Sequence, residues 1–187
     1  MEISIIRHGK SQHTERHKLT CFEFKDWMRK YDSNGVFEKE SYPSITLEKV
    51  NMANIVITSD LKRSIDSAAL LTKTNENISY SLFRETELPA CPPLLSKIKL
   101  NPTIWAILLR VLWFSGYSKE CESLKDANVR AEKATQKLIE YATKHDSVVL
   151  IGHGFFNRLI AKELKDQGWE GKRRTGLTHW NCTTYSM

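Results

Sequence analysis

Short apolar runs alternate with longer amphipathic stretches along most of the chain. Each run has four or five residues and is either rich in β-branched side chains or alternates apolar with polar positions, which predicts a strand. The predicted strands lie at 3–6, 55–58, 78–82 and 147–151, and the tail at 169–185 is expected to supply one more. Strands that alternate with helices in this way are typical of an open α/β sheet.

The amphipathic stretches predict helices, and one of them follows the second strand directly. It is expected to begin with Ser59 or Asp60 as its N-cap and to turn four side chains toward the core, namely Ile65, Ala68, Ala69 and Leu70. A shorter helix before this strand, at 47–52, has Ser44 or Thr46 available as its N-cap. Further helices are predicted around 22–28, at 123–144 and after residue 154.

The segment from Leu94 to Phe114 is rich in leucine, isoleucine and tryptophan. Its densest part, from Ile104 onward, is about half the roughly 20 residues that a membrane span needs, so no span is expected. We expect a helical insertion at about 91–118 that packs over the sheet or forms one wall of a substrate pocket. Because Trp105 and Trp113 are hard to bury completely on one short helix, part of it is also a candidate contact in a homo-oligomer.

The composition fits one domain of 187 residues, of which 41% are hydrophobic. Its net charge of +6 suits nucleic acid, an anionic membrane surface or a phosphorylated substrate. The basic residues are spread out, with one tight cluster at 172–174, so nucleic-acid binding is not expected. The four cysteines form no C-x-x-C pair and the amino terminus lacks a secretion signal, which predicts reduced thiols and a cytoplasmic location.

Candidate chemistry follows the first and last of these apolar runs. Arg7, His8 and Gly9 come directly after the first strand, and His153 lies between two glycines after the strand at 147–151. Open α/β sheets bind ligands at the carboxyl ends of their strands, where an arginine and an imidazole suit an anionic substrate. The alternative is a strand cap in which the histidine is satisfied by a backbone carbonyl.

Two further features follow the middle strands. Arg63 lies in the first turn of the predicted helix after 55–58, where the helix N-terminus favours an anion. A surface arginine that balances Asp60 or Asp66 is the alternative. Glu85 and Glu87 lie in the loop that follows the third strand. Both are candidates for a general acid, although solvated glutamates are common at such positions.

Together these motifs resemble the histidine phosphatase superfamily, whose best known branch is cofactor-dependent phosphoglycerate mutase. The resemblance covers essentially the whole chain, and the order and spacing of four motifs carry it: 7–9, 59–64, the glutamate loop and 152–154. It implies a single domain over 1–187 with a three-layer, doubly wound, mostly parallel α/β sheet. The pocket would lie at the carboxyl ends of the strands, with the helical insertion over the active site.

The resemblance also assigns roles to residues. His8 would be the nucleophile that takes the phosphoryl group, and Glu85 would be the proton donor, preferred to Glu87 because Phe83-Arg84-Glu85 is similar to the leucine-x-glutamate step of the family. No metal or other cofactor is implied, since two arginines and an imidazole supply the charge that phosphoryl transfer needs. The expected phosphate-binding residues are Arg7, Arg63, His153, Ser11 and Gly154.

The sequence departs from the family at two places. Thr14 stands at the position of a family asparagine, which puts that phosphate contact in doubt. The usual glycine-x-tryptophan-glutamate-glycine continuation is replaced by 88–93, which makes a mutase less favoured because a mutase needs an elaborated pocket there. We therefore predict a metal-independent phosphatase that hydrolyses phosphate monoesters through a phosphohistidine on His8. The alternatives are mutase-type phosphoryl transfer and a non-catalytic module that binds a phosphorylated ligand.

Overall fold

The structure is a computed structural model that describes residues 1–72 and 77–187. The strands of this part of the chain are β1 (Glu2–Arg7), β2 (Leu19–Thr20), β3 (Ile55–Thr58), β4 (Asn77–Ser79), β5 (Lys99–Leu100), β6 (Ser147–Gly152), β7 (Glu170–Gly171) and β8 (Cys182–Ser186). Its helices are α1 (Cys21–Ser33), α2 (Ser44–Met52), α3 (Lys62–Leu71), α4 (Pro102–Phe114), α5 (Leu124–His145) and α6 (Phe156–Asp166).

The central sheet has six strands in the order β4-β3-β6-β1-β8-β7. The first four run parallel to one another, whereas β8 is antiparallel to β1 and β7 is antiparallel to β8. Strands β2 and β5 form a separate two-stranded ribbon. The predicted mostly parallel sheet is therefore confirmed, and its antiparallel part lies at one edge.

Helices cover both faces of this sheet. On one face Ile3, Ile5 and Leu150 pack with residues of α5 and α6, and on the other Ile6 and Ile151 pack with residues of α2 and α3. Successive strand side chains point to opposite faces, so a continuous apolar strand supplies both cores at once. This arrangement confirms the predicted three-layer architecture.

Helix α4 packs on α1 in a third apolar cluster. Both tryptophans of α4 are completely buried, and Trp105 Nε1 donates a hydrogen bond of 2.8 Å to the carbonyl oxygen of Leu19. The expectation that these tryptophans resist burial is wrong, because α1 covers one of them and Phe155 the other. The solvent-facing side of α4 carries smaller apolar residues and a phenylalanine instead, namely Ile104, Ile107, Val111 and Phe114.

The start and buried face of α3 differ from the prediction. Its N-cap is Leu61, and the side chains turned inward are Arg63, Ser64, Ser67, Ala68 and Leu71, while Ile65 and Ala69 are exposed. The inward serines explain this rotation, because Ser67 Oγ accepts from the amide of Gly9 at 2.9 Å and Ser64 Oγ donates to the carbonyl of Ile151. Polar contacts to the strand ends thus outweigh the apolar period of the helix.

Two other local predictions are corrected. The N-cap of α2 is Pro43, because Ser44 is already helical and the Thr46 hydroxyl donates instead to the buried carbonyl of Trp180 at 2.7 Å. The third strand is shorter than predicted, since 81–83 forms a 3₁₀ turn after β4. None of the helices in the described part of the chain combines the length and apolar composition of a membrane span.

The expectation of four reduced thiols is wrong for two of them. Cys21, at the start of α1, and Cys91, in the loop that precedes β5, form a disulfide with their Cα atoms 5.7 Å apart. Cys121 and Cys182 are free. The bond joins residues 70 positions apart, so no local spacing of cysteines in the sequence predicts it.

We expect thiol titration of the denatured, unreduced protein to count two thiols per chain, from Cys121 and Cys182. Replacing Cys91 by Ser should lower the free energy of unfolding by about 2–4 kcal/mol, because the disulfide restricts the unfolded chain. Cys121→Ser is the matched control and should cost far less in denaturant titrations. A count of four thiols would contradict the bond.

Candidate active site

The two strand-end histidines lie side by side at the carboxyl edge of the sheet. Strands β1 and β6 pair from Glu2 beside Ser147 to Arg7 beside Gly152, so the residues that follow them begin at the same level. The amide of His8 donates to the carbonyl of Gly152 at 3.0 Å, and the rings of His8 and His153 are 5.0 Å apart between centroids. Parallel pairing thus brings together residues 145 positions apart in the chain.

His8 is buried and has one ring nitrogen fixed by the backbone. Its Nδ1 lies 2.7 Å from the carbonyl oxygen of Gly9, and since a carbonyl only accepts, Nδ1 carries the proton. Nε2 then presents a lone pair and has no hydrogen bond within the described residues. Burial lowers the pKa of His8 well below its ordinary value, with the nearby charges of His153 and Arg63 acting in the same direction. The geometry and the electrostatics both favour a neutral imidazole.

His153 is completely buried, and the hydroxyl of Ser59 lies 2.6 Å from its Nε2. A hydroxyl can donate or accept; the tautomer in which Ser59 donates to Nε2 carries its ring proton on Nδ1, a buried atom without a partner in the described chain. Burial lowers the pKa of His153 well below its ordinary value, followed in size by the charges of Arg63 and Arg7. Sequence reasoning treated Ser59 as a helix cap and missed this contact, although its position directly after β3 places it at the same sheet edge.

Asn157 joins the backbone at His153 to the backbone of β1 just before Arg7 and His8. Its Oδ1 accepts from the amide of His153 at 3.1 Å, and its Nδ2 donates to the carbonyl of Ile6 at 3.2 Å. The side chain is 2% exposed, so both bonds are shielded from water. Asn157 therefore ties the end of β6 to the end of β1.

Arg63 binds to residues of α1 and not to Asp60 or Asp66, the partners considered from the sequence. Its Nη1 donates to the carbonyl of Tyr31 at 2.8 Å and to Asp32 Oδ1 at 2.9 Å, and its guanidinium lies 4.1 Å from the centroid of the Tyr31 ring. Asp60 and Asp66 pair instead with Arg84 and Lys62. Arg63 is buried at 2% exposure, and its Nε has no partner in the described residues.

Arg7 lies against the backbone of Gly154. A Cβ at position 154 would come within 3.1 Å of Arg7 Nε, so any side chain there would require the guanidinium to shift by a few tenths of an ångström. One end of the guanidinium donates to the carbonyl of Leu177, while Nε is buried without a partner in the described residues. Arg7 and Arg63 both line one cavity with His8.

Glu85 connects the loop after β4 to the start of α6. Its two oxygens accept from the amides of Phe155 at 2.9 Å and Phe156 at 2.8 Å, and Oε1 also accepts from the amide of Thr86 at 3.0 Å. The amides of Phe155 and Phe156 lie at the N-terminus of α6, where backbone amides have no acceptor within the helix and bind anionic groups. Glu87 is exposed two residues further along and lines the same cavity.

Arg110 is a part of this site that sequence reasoning missed. It projects from α4 and donates to the carbonyl of Thr86 at 2.8 Å, and its guanidinium lies 4.9 Å from the ring centroid of Trp113 and 4.8 Å from that of Phe155. Helix α4 therefore reaches the loop that carries Glu85 and Glu87 through an arginine and not through its tryptophans. In the sequence, the sign of such a role was that Arg110 is a basic residue inside the apolar run at 104–114.

The cavity at this edge has a volume of about 440 Å³, and its wall includes Arg7, His8, Arg63, Glu85 and Glu87. The structure thus brings together these predicted residues, with His153 beside His8 and Gly154 behind Arg7.

Ser11 is the exception among the predicted phosphate contacts. It lines a different cavity together with Thr14, and its Oγ accepts from the amide of His13 at 3.2 Å. No group of three or more His, Cys, Asp or Glu side chains in 1–72 and 77–187 is placed to hold a metal ion.

A comparison with protein families gives this arrangement a class. The profile of the histidine phosphatase superfamily (branch 1) matches residues 44–187. The match covers more than half of the chain, so the chain belongs to this superfamily. It includes the segments that carry Arg63, Glu85 and His153, whereas Arg7 and His8 precede it. No curated protein sequence gives a significant match.

Solved structures with the same fold include several phosphatases. Phosphoserine phosphatase from Entamoeba histolytica, in complex with 3-phosphoglyceric acid, has 14% identity and a TM-score of 0.59 over 98% of this chain and 89% of its own. The mycobacterial glucosyl-3-phosphoglycerate phosphatase with inorganic phosphate has 15% identity and a TM-score of 0.56, with 96% of each chain covered. An open reading frame product from Mycobacterium tuberculosis has 15% identity and a TM-score of 0.58, covering 98% and 89%.

At these identities the structural likeness establishes the fold, which is that of phosphoglycerate mutase-like proteins. The family match and the phosphatases among the neighbours support the prediction that the chain is a phosphatase enzyme.

The buried histidines predict a pH dependence of stability. Burial lowers the pKa of His8 and His153 in the folded protein, whereas in the unfolded chain both titrate near 6.5. Below that pH the unfolded state binds protons that the folded state does not. The free energy of unfolding should therefore fall with decreasing pH, by up to about 1.4 kcal/mol per pH unit for each histidine.

Urea titrations between pH 7.5 and 5 would measure this slope. His153→Gln should reduce the slope of the free energy of unfolding against pH by the contribution of one titrating histidine. His17→Gln, at an exposed position, is the matched control. An equal slope in His153→Gln and the parent protein would contradict the burial of a neutral imidazole.

Proposed function

We propose that the protein hydrolyses phosphate monoesters through a phosphohistidine formed on His8. The observation that carries this proposal is the Nδ1 to Gly9 hydrogen bond of 2.7 Å, which leaves Nε2 as a nucleophile in a cavity with two arginines. A neutral imidazole with its other nitrogen anchored is the form that can attack phosphorus. Positive charge from Arg7 and Arg63 stabilises the phosphoryl oxygens, so the proposed reaction requires no metal ion.

The reaction has two steps. In the first, Nε2 of His8 bonds to phosphorus while the bond from phosphorus to the ester oxygen breaks, and Glu85 supplies a proton to the departing alkoxide. In the second, water bonds to phosphorus, Glu85 takes up a proton from it, and the phosphorus–nitrogen bond breaks to release inorganic phosphate. His153 donates from Nδ1 to a phosphoryl oxygen in both steps, as its unpartnered proton permits.

Three backbone amides hold the carboxyl group of Glu85 in place. The first step needs the protonated acid, and Glu87 competes for that role because it lines the same cavity and is exposed. We assign the proton donor to Glu85 because its position is fixed relative to α6 and hence to His153.

Hydrolysis is favoured over mutase-type transfer by the segment after Glu87. Pro89, Pro92 and Pro93 hold it in an irregular conformation, and its side chains line an apolar space instead of a second phosphate site. A non-catalytic module would not need the anchored tautomer of His8.

The predicted cytoplasmic location and homo-oligomer remain predictions from the sequence. The Cys21–Cys91 disulfide argues against a cytoplasmic location, because such bonds persist mainly in oxidising compartments.

Replacing His8 by Ala tests the nucleophile. Hydrolysis of p-nitrophenyl phosphate, measured with a chelator present, should fall by at least about 10³-fold, because loss of a nucleophile removes the whole covalent route. His17→Ala is the matched control and should keep its rate. Rapid quenching of the parent enzyme with labelled substrate should trap a base-stable, acid-labile phosphoprotein, and an acid-stable adduct would point to another nucleophile.

Replacing each glutamate by Gln separates the two proton donors. Glu85→Gln should lower kcat/KM for alkyl phosphates by about 10²-fold or more and spare kcat/KM for aryl phosphates, since a phenolate leaves without protonation. Glu87→Gln, which differs by the same atoms at a neighbouring position, is the control. The value of kcat/KM, which reports only the steps up to phosphoryl transfer to His8, decides the assignment for both substrate classes in both variants, and the reverse pattern would give the role to Glu87.

A further inference from the structure

A second cavity, of about 570 Å³, adjoins the one that holds His8. We call it the apolar cavity; it lies between α1 and the segment 87–93, with Phe22, Phe24, Met28, Leu88 and Leu109 in its wall. We propose that the apolar cavity binds the leaving group of the substrate, and that the protein acts on phosphate monoesters of apolar alcohols. This proposal rests on the phosphatase function assigned above to the cavity of His8.

The two cavities share part of their walls. Met28 and Asp32 on α1, and Glu87 and Leu88 on the opposite loop, line both of them. A phosphoryl group at His8 therefore has a direct route for the rest of the ester, past the candidate proton donors and into the apolar cavity. The leaving oxygen would lie near the junction, where a proton donor is required.

The charges at the junction select against an anionic leaving group. Asp32 and Glu87 line both cavities; Asp32 is paired with Arg63 at 2.9 Å, and Glu87, which has no ion pair in the described residues, would meet a second carboxylate or phosphate on the substrate with like charge. Three basic residues line the apolar cavity: Lys25 is paired with Glu120 at 3.0 Å, Arg29 with Asp26 at 2.9 Å, and Lys119 has no ion pair in the described residues. What the wall offers beyond the junction is mainly aromatic and aliphatic surface, which binds apolar groups.

The opposing walls of the apolar cavity are connected before any ligand binds. The Cys21–Cys91 disulfide joins α1 to the loop across the cavity, and both residues line it. The amide of Ala90 also donates to the carbonyl of Lys119 at 2.8 Å, which fixes the loop from its other side. A preformed cavity spends little binding free energy on ordering its walls, so apolar contact improves affinity directly.

The test is a homologous series of n-alkyl phosphates from ethyl to octyl, with kcat/KM measured for each. Each added methylene that enters the apolar cavity should raise kcat/KM by about fourfold until the cavity is filled. Phe22→Ala should flatten this rise. Phe37→Ala is the matched control, since Phe37 is also an exposed phenylalanine but lines none of the cavities described here, and it should keep the rise.

A second measurement separates this proposal from the phosphatase function. Alkylphosphonates of the same lengths cannot be hydrolysed, and their dissociation constants, measured by calorimetry, should fall with chain length in the parent protein and less so in Phe22→Ala. Equal kcat/KM and equal affinity at all lengths would overturn the apolar site while leaving the phosphatase intact. Length-dependent phosphonate binding without hydrolysis of any ester would overturn the phosphatase function and support the cavity as a binding site.

Discussion

The parallel pairing of β1 with β6 is the constraint on which the site depends. The register runs without interruption to Arg7 beside Gly152, so both strands end at one level and His8 and His153 follow them together. A slip of one residue would turn the side chains of a strand to the opposite face of the sheet and separate the two imidazoles. Asn157 reinforces the pairing, because it bonds the amide of His153 and the carbonyl of Ile6 at once.

Burial sets the chemistry of the groups that this register brings together. Both imidazoles are shielded from water beside two guanidinium groups, and all of these effects lower their pKa. The site therefore places neutral imidazoles beside two guanidinium groups, and in the proposed mechanism these groups attract an anionic substrate that His8 attacks. Arg63 forms an ion pair of 2.9 Å with Asp32 on α1.

The sequence was sufficient for the parallel strands and the layers, and it singled out most of the residues that lie together at this sheet edge, because apolar runs and their carboxyl ends are local features with a fixed geometric meaning. The sequence did not predict the side-chain contacts that depend on which helices and loops pack against each other. Arg63 pairs with Asp32 because α1 packs over α3, and the role of Ser59 depends on a histidine 94 positions away. The Cys21–Cys91 bond and the approach of Arg110 to Thr86 likewise follow from the position of α4 and its loop, which no periodicity encodes.

In the proposed mechanism a phosphoryl group binds at Nε2 of His8 between Arg7, Arg63 and His153. A crystal structure with orthovanadate, which adopts the trigonal-bipyramidal geometry of phosphoryl transfer, tests this binding most directly. We expect vanadium in line with Nε2 of His8 and its equatorial oxygens about 2.7–3.2 Å from donors of the two arginines and from Nδ1 of His153. Vanadate bound without contact to His8, for example in the cavity beside Ser11, would contradict it.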